Sequence, residues 1–544
     1  MRSMIRNLGA LALAVSGMAA CTDNLAVQNY NNPDLARVYS NPGGVEGVVS
    51  TLYRSFHQAT QGSAEGLNAQ SKVMALESYG QVANFGMALR AGIPRVFINN
   101  QRGNQVAGGN NVNWSSLSRL MRNAATVAQA VDTYVARGAT LGTVGRDRRA
   151  RAFAFFVNGI AMGTLAFGYD SVAIATPATP TSAIPEFVTP DVAVAEALKM
   201  IDTSIAIMTA LAGDANATIP TDWVAGPALT TVQFIQLARS YKAKIRAGVA
   251  RTPAERDAVD WAAVAADAAA GITANHTIAL NGPTGWTSGL DASTFMSSTS
   301  WHQISLMYNG MSDTSGAYQA FMALPLATRI GMNYVVATPD LRWPRGTTRA
   351  TQFANSTLPL PAGRYIANRD GGQDQPDNSN PWGTSQYDHR RWWAINTANG
   401  VGTYVFVSAT EIAMLRAEAL LRPGAQNNPT TAMGLVNTSR TANGLLAFTD
   451  PAGTAPGAGG CVPRLPNGNC ASLLEAMKYE KRMETQLTGY MQWFLDSRGW
   501  GDLALATALH WPVPFQEMDT RNKPFYNMPG TGTLPGAAIG TYGF

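Results

Sequence analysis

Helical periodicity is the feature of this sequence that most constrains its fold. Apolar side chains recur at steps of three and four residues between residues 117 and 135, which places them along one face of a helix. Asn113 or Ser115 can cap the start of this helix, and Gly138 can end it. A short turn leads to a second apolar segment that begins near Val144. The sequence therefore predicts two consecutive helices that form a hairpin.

Two further pairs of helix-length segments follow the same pattern. One pair covers roughly residues 191–211 and 229–249, and the other covers 408–422 and 430–443. Three hairpins of this size predict a mainly α fold with tetratricopeptide-like units, although the internal similarity between the pairs is too weak to establish a repeat.

The middle of the chain has a different composition, which divides the sequence into parts. Between residues 274 and 403, Gly, Pro, Asn, Thr and aromatic residues dominate, with only short apolar runs. Loops of this length in a compact protein usually carry function. We therefore predict a loop-rich ligand-binding insertion between two helical regions. The predicted parts are a signal peptide at 1–20, an N-terminal helical region at 21–273, the insertion at 274–403 and a C-terminal helical region at 404–544.

The N-terminus has the plan of a secretory signal. Arg2 and Arg6 precede an apolar run that ends before Cys21 and is too short to span a bilayer. The residues from Met18 to Cys21 resemble a bacterial lipobox, which predicts cleavage before Cys21 and acylation of its thiol, for example with palmitate. The alternative is an ordinary signal peptide that leaves Cys21 as a stray thiol. Thr22 stands where an inner-membrane retention signal has Asp, so the predicted location is the outer membrane.

Composition agrees with a protein that works outside the cytoplasm. Charged residues make up only 14% of the chain, so Ser, Thr, Asn, Gln, Gly and Pro must cover much of its surface. The net charge is +5, and the basic residues are scattered arginines without aromatic interleaving, so we predict no nucleic-acid site. In an oxidising compartment, Cys461 and Cys470 predict a disulfide across a short loop that contains Pro and Gly.

An internal stretch from Ala152 to Tyr169 is apolar enough to raise the question of a transmembrane helix. Asn158 and three glycines interrupt the stretch, and four arginines come shortly before or at its start. A chain that is anchored by lipid does not need a second membrane segment. We therefore predict that this stretch is a buried helix of the helical array.

Familiar catalytic and cofactor-binding motifs are absent from the sequence, so we predict no catalytic residue, metal or cofactor. The histidines have no paired ligand spacing and are interpreted as ordinary polar or packing residues. They are His57, His276, His302, His389 and His510. A glycosidase needs only two carboxylates that meet across a cleft, and such a pair can come from anywhere in a fold.

A small acidic loop could hold calcium through oxygen ligands. It consists of Asp370, Asp374, Asp377 and Asn378. Because the spacing does not match an EF-hand loop, a solvated loop is the preferred interpretation.

Large aromatic residues in the polar insertion are the candidate ligand contacts. Aromatic faces suit the C–H faces of sugar rings, and neighbouring Asn, Gln, Asp and Arg suit the hydroxyl groups. The first choices are Trp286, Trp301, Tyr308 and Tyr318, and the second choices are Trp382 and Tyr387. The alternative is that most of these rings pack the insertion against the helices.

Several stretches, in the same order along the chain, resemble the SusD/RagB family of outer-membrane nutrient-binding lipoproteins. The N-terminal stretches that carry the resemblance are Asn31–Pro33, Val45–Tyr53, the segment after Trp114, and Arg149–Phe156. The later ones are Pro339–Arg342, Glu411–Gly424, Tyr479–Arg482, Trp493–Gly501 and Trp511–Glu517. These motifs belong to the scaffold, so they do not transfer any ligand-binding residue to this chain.

The resemblance implies a fold, a location and a role. The expected fold is a scaffold of tetratricopeptide-like hairpins with a loop-rich insertion, lipid-anchored to the outer membrane and exposed at the cell surface. Members of the family sit on a SusC-like, TonB-dependent transporter and capture oligosaccharides, or sometimes peptides, for import. The expected role is therefore binding rather than catalysis. Two alternatives stay open, which are a secreted glycan hydrolase and a helical-repeat module that assembles an envelope complex without a small ligand.

Overall fold

The computed structural model describes most of the chain after its N-terminal region. The described residues are 38–39, 41–80, 84–93, 95–293, 302–325, 328–329, 331–371, 385–456 and 461–528. Several residues singled out by the sequence lie outside these ranges. They are Cys21, Trp301, Asp374, Asp377, Asn378 and Trp382.

Helices dominate the described chain, and its strands are short. The elements before the insertion are α1 (Pro42–Gln61), α2 (Leu67–Met74), β1 (Ser78–Gly80), α3 (Met87–Ala91), α4 (Gly108–Ala136), α5 (Val144–Gly168), β2 (Val172–Ala173), β3 (Phe187–Val188), α6 (Pro190–Thr209), α7 (Thr221–Val224), α8 (Thr231–Gly248), α9 (Pro253–Asp257) and α10 (Trp261–Ala269).

The insertion contains more regular structure than its composition indicates. Its elements are β4 (His276–Leu280), α11 (Leu290–Ser293), β5 (His302–Ile304), α12 (Leu306–Ser312), α13 (Ala317–Met322), α14 (Arg349–Ala354), β6 (Ile366–Asn368), β7 (Tyr387–His389) and α15 (Trp393–Thr397). The remaining elements are β8 (Gly402–Val407), α16 (Ala409–Leu421), α17 (Pro429–Ala442), α18 (Leu473–Thr485), α19 (Gln492–Trp500) and α20 (Phe515–Thr520).

The three predicted helical pairs are present. Helices α4 and α5 pack against each other, α6 packs on α8, and α16 packs on α17. Gly138, just after α4, has a positive φ of 71°, as expected for a glycine that ends a helix. The prediction is therefore confirmed for the existence and order of these helices.

The predicted start of α4 was wrong, because the helix already begins at Gly108. Asn113 lies inside it and serves a neighbouring helix instead. Its side-chain oxygen accepts a hydrogen bond of 2.7 Å from the main-chain N–H of Leu67, the first residue of α2. The Asn113 amide donates to the carbonyl of Ala59 in α1. Asn113 thus connects α4 with α1 and α2, and it does not cap the start of α4.

Helix α5 is long and apolar enough to cross a membrane, but almost all of it is buried inside the structure. The side-chain amide of Asn158 donates to the carbonyls of Met121 and Ala175, at 2.8 and 2.9 Å. The amide N–H groups of Asn158 are therefore paired inside the protein, with partners that lipid would not provide. The prediction of a buried core helix is confirmed.

Short antiparallel ribbons organise the insertion. Strand β4 pairs with β8, so that Leu280 lies opposite Gly402 and the two ends of the insertion meet. Strand β1 pairs with β5, and β6 pairs with β7. Farther along the chain, Cys461 and Cys470 form a disulfide with Cα atoms 4.9 Å apart.

A buried ion-pair network joins the N-terminal and C-terminal helices. Arg256 in α9 donates to both carboxylate oxygens of Glu418 in α16, at 2.9 and 2.6 Å, and also contacts Asp496 in α19. Burial alone raises the pKa of the Glu418 carboxyl. The charge of Arg256 and its hydrogen bonds outweigh this effect and hold that pKa well below its ordinary value.

Removing the charge of Glu418 should therefore destabilise the protein. We expect Glu418→Gln to lower the free energy of unfolding by about 3–5 kcal/mol, because Arg256 is left buried and only partly paired. Glu196→Gln is the matched control, since Glu196 pairs with the exposed Lys199 and should cost less than about 1 kcal/mol. Urea unfolding of both variants checks this, and equal losses would contradict a stabilising role for the network.

The histidines are mostly buried, as expected for packing residues. Burial lowers the pKa of His276 to about 4 and that of His302 to about 3. Burial, followed by the charges of Arg391 and Lys72, lowers the pKa of His389 well below its ordinary value. Neither ring nitrogen of His389 has a hydrogen-bond partner among the described residues. These rings are therefore neutral in the folded protein at pH 7.

Acid should destabilise the fold through these histidines. The unfolded chain takes up a proton on each histidine near pH 6.5, whereas the folded chain does so only at lower pH, so stability is lost as the pH falls below about 6.5. We expect His389→Phe, which keeps an aromatic ring, to reduce this loss by about 1.4 kcal/mol per pH unit. Urea unfolding between pH 7.5 and 4.5 checks it, and identical slopes for both proteins would exclude a neutral buried His389.

Candidate ligand-binding site

Two of the predicted ligand residues lie in one buried aromatic cluster. The Tyr308 ring is nearly parallel to Trp493, with centroids 5.7 Å apart, and lies 5.6 Å from Trp343. The Tyr387 ring meets Trp343 edge-on at 5.0 Å, so that one indole joins both tyrosines. Neither tyrosine has a measurable exposed surface. The Tyr308 ring therefore packs the insertion against helix α19, whereas the Tyr387 ring packs against another residue of the insertion.

Tyr318 packs in a different place. Its ring covers Gly310, where an added Cβ would come within 2.5 Å of the ring, and it meets Tyr334 edge-on at 6.4 Å. The ligand role expected for Trp301 and Trp382 stays a prediction, because both lie outside the described residues. Among the described candidates, Trp286 lines a surface pocket.

The pocket beside Trp286 has a volume of about 550 Å³. Only 4% of Trp286 is exposed, so a small part of its ring reaches the pocket. The polar residues that line the pocket come from α1, from α7 and from the chain that follows β4. They are Ser50, Arg54, Thr221, Asp222, Asn281 and Thr284. A concave site with one aromatic and several convergent polar groups is typical of a small-molecule site.

Helix α1 holds the turn that carries Trp286. Three side chains of α1 donate hydrogen bonds to three carbonyls of this turn. They are Arg54 to Thr284 at 3.0 Å, Gln58 to Gly285 at 2.9 Å, and His57 Nε2 to Thr287 at 3.0 Å. The main chain of the turn also closes on itself, since the N–H of Asn281 donates to the carbonyl of Trp286 at 2.7 Å. The pocket wall is therefore preorganised by the scaffold.

His57 supports the indole from behind. Its ring centroid lies 5.9 Å from that of Trp286, with the two planes 34° apart. Burial lowers the pKa of His57, and the hydrogen bond to the Thr287 carbonyl only partly opposes this. A carbonyl oxygen can only accept, so the proton of the neutral ring lies on Nε2. The neutral imidazole thereby fixes both the turn and the indole.

The polar groups of the pocket are available to a ligand. The side chains of Asn281 and Asp222 make no hydrogen bond or ion pair with the described part of the chain. Arg54 uses one nitrogen for Thr284 and forms no ion pair with a described residue. An amide, a carboxylate and a guanidinium together offer both donors and acceptors, which is what the vicinal hydroxyls of a sugar require.

The same residues do not form a hydrolytic pair. Glycoside hydrolysis uses two carboxyl groups that flank the bond to be broken. Asp222 is the one carboxylate among the described residues that line this pocket. The described chain also contains no group of three His, Cys, Asp or Glu side chains placed to hold a metal ion. Asp370 is the one member of the proposed calcium loop within the described residues, so that loop stays untested.

Sequence reasoning found Trp286 and missed its polar neighbours. Arg54, Asp222 and Asn281 come from segments far apart in the chain, and no motif marks any of them. The fold alone brings them together. The sequence after β4 does indicate a turn at this place. Asn281 and Gly285 flank a proline at 283, and this combination of residues is typical of a tight loop.

Comparison with known proteins identifies the fold. No family model and no curated protein sequence matches the chain. Among solved structures, a SusD superfamily protein from Parabacteroides distasonis matches with a TM-score of 0.54 at 9% identity, over 90% of this chain and 99% of that one. A SusD-like carbohydrate-binding protein from Bacteroides fragilis matches with a TM-score of 0.53 at 12% identity, over 85% and 87%. A SusD homologue from Bacteroides thetaiotaomicron matches with a TM-score of 0.51 at 13% identity, over 91% and 99%.

The chain therefore has the SusD-like fold. The matches cover between 85% and 91% of this chain, whereas the identities are low enough that they carry the fold alone. The predictions of a mainly α architecture and of a SusD-like scaffold are confirmed.

A substitution at Gly285 tests whether the conformation of the turn that carries Trp286 is fixed. It has a φ of 79°, and an added Cβ would lie 3.1 Å from a guanidinium nitrogen of Arg54. We expect Gly285→Ala to lower the free energy of unfolding by about 1–3 kcal/mol, because a left-handed backbone is costly for alanine. In the control Gly282→Ala the new methyl group meets no atom within 4 Å. Urea unfolding compares the two, and equal stability would show that the turn is not fixed as described.

Proposed function

We propose that this protein binds an oligosaccharide in the pocket beside Trp286. The observation that supports this most directly is the combination of part of one indole with the unpartnered side chains of Asn281 and Asp222 in a preorganised pocket. A volume of about 550 Å³ lies in the range of small-ligand sites. One of the solved structures that share the fold is described as a carbohydrate-binding protein.

The bound sugar would contact the pocket through two kinds of interaction. Its C–H groups pack against the exposed part of Trp286, and its hydroxyls exchange hydrogen bonds with Asn281, Asp222 and Arg54. Because much of the indole is covered by the protein, stacking is limited and the hydrogen bonds carry most of the selectivity. Affinity should therefore be modest.

The place of this binding step in the cell is part of the same proposal. The N-terminal sequence supports acylation of Cys21 and a surface position on the outer membrane, as the lipobox resemblance implies. In that position the protein would deliver its ligand to a SusC-like, TonB-dependent transporter. We propose binding and delivery without cleavage, and a hydrolase would instead shorten the oligosaccharide during incubation.

The amide of Asn281 should contribute to ligand affinity without supporting the fold. We expect Asn281→Ala to weaken oligosaccharide binding about fivefold to tenfold, which corresponds to the loss of one net hydrogen bond. The melting temperature without ligand should stay within about 1–2 °C of that of the parent protein. Isothermal titration calorimetry with a panel of purified oligosaccharides, followed by the best binder alone, provides the measurement.

The control for this prediction is Asn111→Ala. Asn111 lies on α4, does not line the pocket and makes no side-chain hydrogen bond with a described residue. Equal affinities for the parent protein and both variants would show that the oligosaccharide does not bind in this pocket. Binding of the oligosaccharide at another site would then still be possible. If no oligosaccharide in the panel binds, glycan capture itself is contradicted. Chromatography of the oligosaccharide after incubation distinguishes a binder, which leaves its length unchanged, from a hydrolase.

A further inference from the structure

A second concave surface lies on the helical scaffold, along α16. This groove has a volume of about 600 Å³ and runs over α16 between α10 and α17. Small and apolar side chains from the three helices and from the chain after α10 line it, among them Ala268, Ile272, Ile412, Ala413, Leu435 and Ala442. We call it the α16 groove. It shares no lining residue with the pocket beside Trp286.

One cation in the α16 groove has no partner. Arg416 lines the groove and makes no hydrogen bond or ion pair with any described residue. The carboxylate that lines the groove, Glu484, already accepts hydrogen bonds from Arg342 at 2.9 Å and from the Tyr365 hydroxyl at 3.1 Å. Its side chain is only 12% exposed and faces inward. Glu484 therefore does not neutralise Arg416.

The carboxylates behind Glu484 are already paired. Asp340 and Glu480 share Arg342 with Glu484. Arg391 donates to the main-chain carbonyl of Glu484, and the charge of Glu480 acts on Arg440. All three carboxylates thus pair with Arg342 inside the protein, and Glu480 also acts on Arg440. The groove surface keeps the positive charge of Arg416.

Two more arginines, which have no acidic partner among the described residues, lie near one end of the groove. Gly363 lines the groove, and Arg364 follows it in the chain. Arg364 donates to the carbonyl of Asn355, and the amide of Asn355 donates to the carbonyl of Arg345 at 3.0 Å, so the two arginines are neighbours. Burial, and next the charge of Arg345, lowers the pKa of Arg364. Within the described part of the chain, each side chain donates only to main-chain carbonyls, Arg345 to Thr338 and Pro339, and Arg364 to Asn355. Two neighbouring positive charges repel each other, and an anion bound between them would relieve this repulsion.

Exposed leucines border the same end. The N–H of Leu341 donates to the carbonyl of Asn443, a residue that lines the groove, at 2.9 Å. Leu341 is 44% exposed, and Leu446, just beyond α17, is 51% exposed. Apolar surface beside uncompensated cations is typical of a protein-binding site rather than of ordinary solvated surface.

We propose that the α16 groove binds an acidic peptide segment of a partner protein. Its carboxylates pair with Arg416 and with the Arg345 and Arg364 pair, and its apolar side chains enter the groove and contact Leu341 and Leu446. Charge complementarity selects an acidic segment, because the groove offers three unpaired cations and its carboxylate is already bound. The groove is recessed between helices, so single side chains can enter it whereas a flat bilayer surface cannot.

A labelled acidic peptide tests this proposal directly. The probe is fluorescein-labelled Gly-Glu-Leu-Asp-Leu-Glu-Leu-Asp-Gly, and the control peptide replaces every Glu and Asp with Gln and Asn. Fluorescence anisotropy with the full chain should show micromolar binding of the acidic peptide, at least tenfold tighter than that of its neutral counterpart. The double variant Arg416→Gln with Arg364→Gln should weaken binding at least tenfold. Raising the salt concentration should weaken binding by the parent protein as well.

Arg119→Gln is the matched control, because Arg119 is an exposed arginine of α4 without a partner in the described chain. It should leave peptide binding unchanged. Absence of binding, equal binding of both peptides, or binding that ignores the double variant would each overturn the proposal. Arginine-dependent binding to phosphatidylglycerol vesicles without peptide binding would assign the surface to a membrane and overturn it too. None of these outcomes bears on the oligosaccharide pocket, since the two surfaces share no residue.

Discussion

Close packing around α5 is the constraint on which the rest of the structure depends. An added Cβ at Gly159 would lie 2.7 Å from the carbonyl oxygen of Ala197 and from the Ile201 side chain of α6. One at Gly163 would lie 2.7 Å from Ile245 of α8. The two glycines therefore let α6 and α8 approach the backbone of α5 more closely than any other residue would allow. From Ala152 onward the central helix can then be almost entirely apolar, because other helices rather than water surround it.

The candidate site follows from this arrangement through α1. This helix buries one face against α4 and α5, where Tyr53 and Phe56 join the aromatic core. Its other face carries Arg54, His57 and Gln58, which hold the turn around Trp286. Helix α7, with Asp222, packs on α1 as well. The pocket is thus a rigid consequence of the scaffold, and the insertion supplies only one of its walls.

The sequence predicts the scaffold well because helical periodicity is a local signal. The existence of α4 and α5, the burial of residues 152–169 and the SusD-like architecture all follow from patterns that neighbouring residues carry. The start of α4 was missed because Asn113, a good capping residue, is used by α2 and α1 instead. Composition cannot tell such a long-range contact from a local cap.

The site is less predictable, for a related reason. Aromatic residues in a polar insertion were expected to face a ligand, but Tyr308, Tyr318 and Tyr387 are buried inside the protein. A loop-rich segment of this size needs its own core, and large rings bury the most surface per residue. The polar residues around Trp286 come from three distant segments, so only the folded chain reveals them as one pocket.

Hydrogen–deuterium exchange of the full chain, with and without a bound oligosaccharide, tests the central claim most directly. If the sugar occupies the pocket beside Trp286, amide protection should increase in the turn at residues 281–287. It should also increase in residues 221–227, which comprise α7 and the three residues after it. The segments around residues 302–308 and 385–393 should exchange as before. Protection confined to those latter segments, with the turn at 281–287 unchanged, would place the ligand elsewhere and contradict the account.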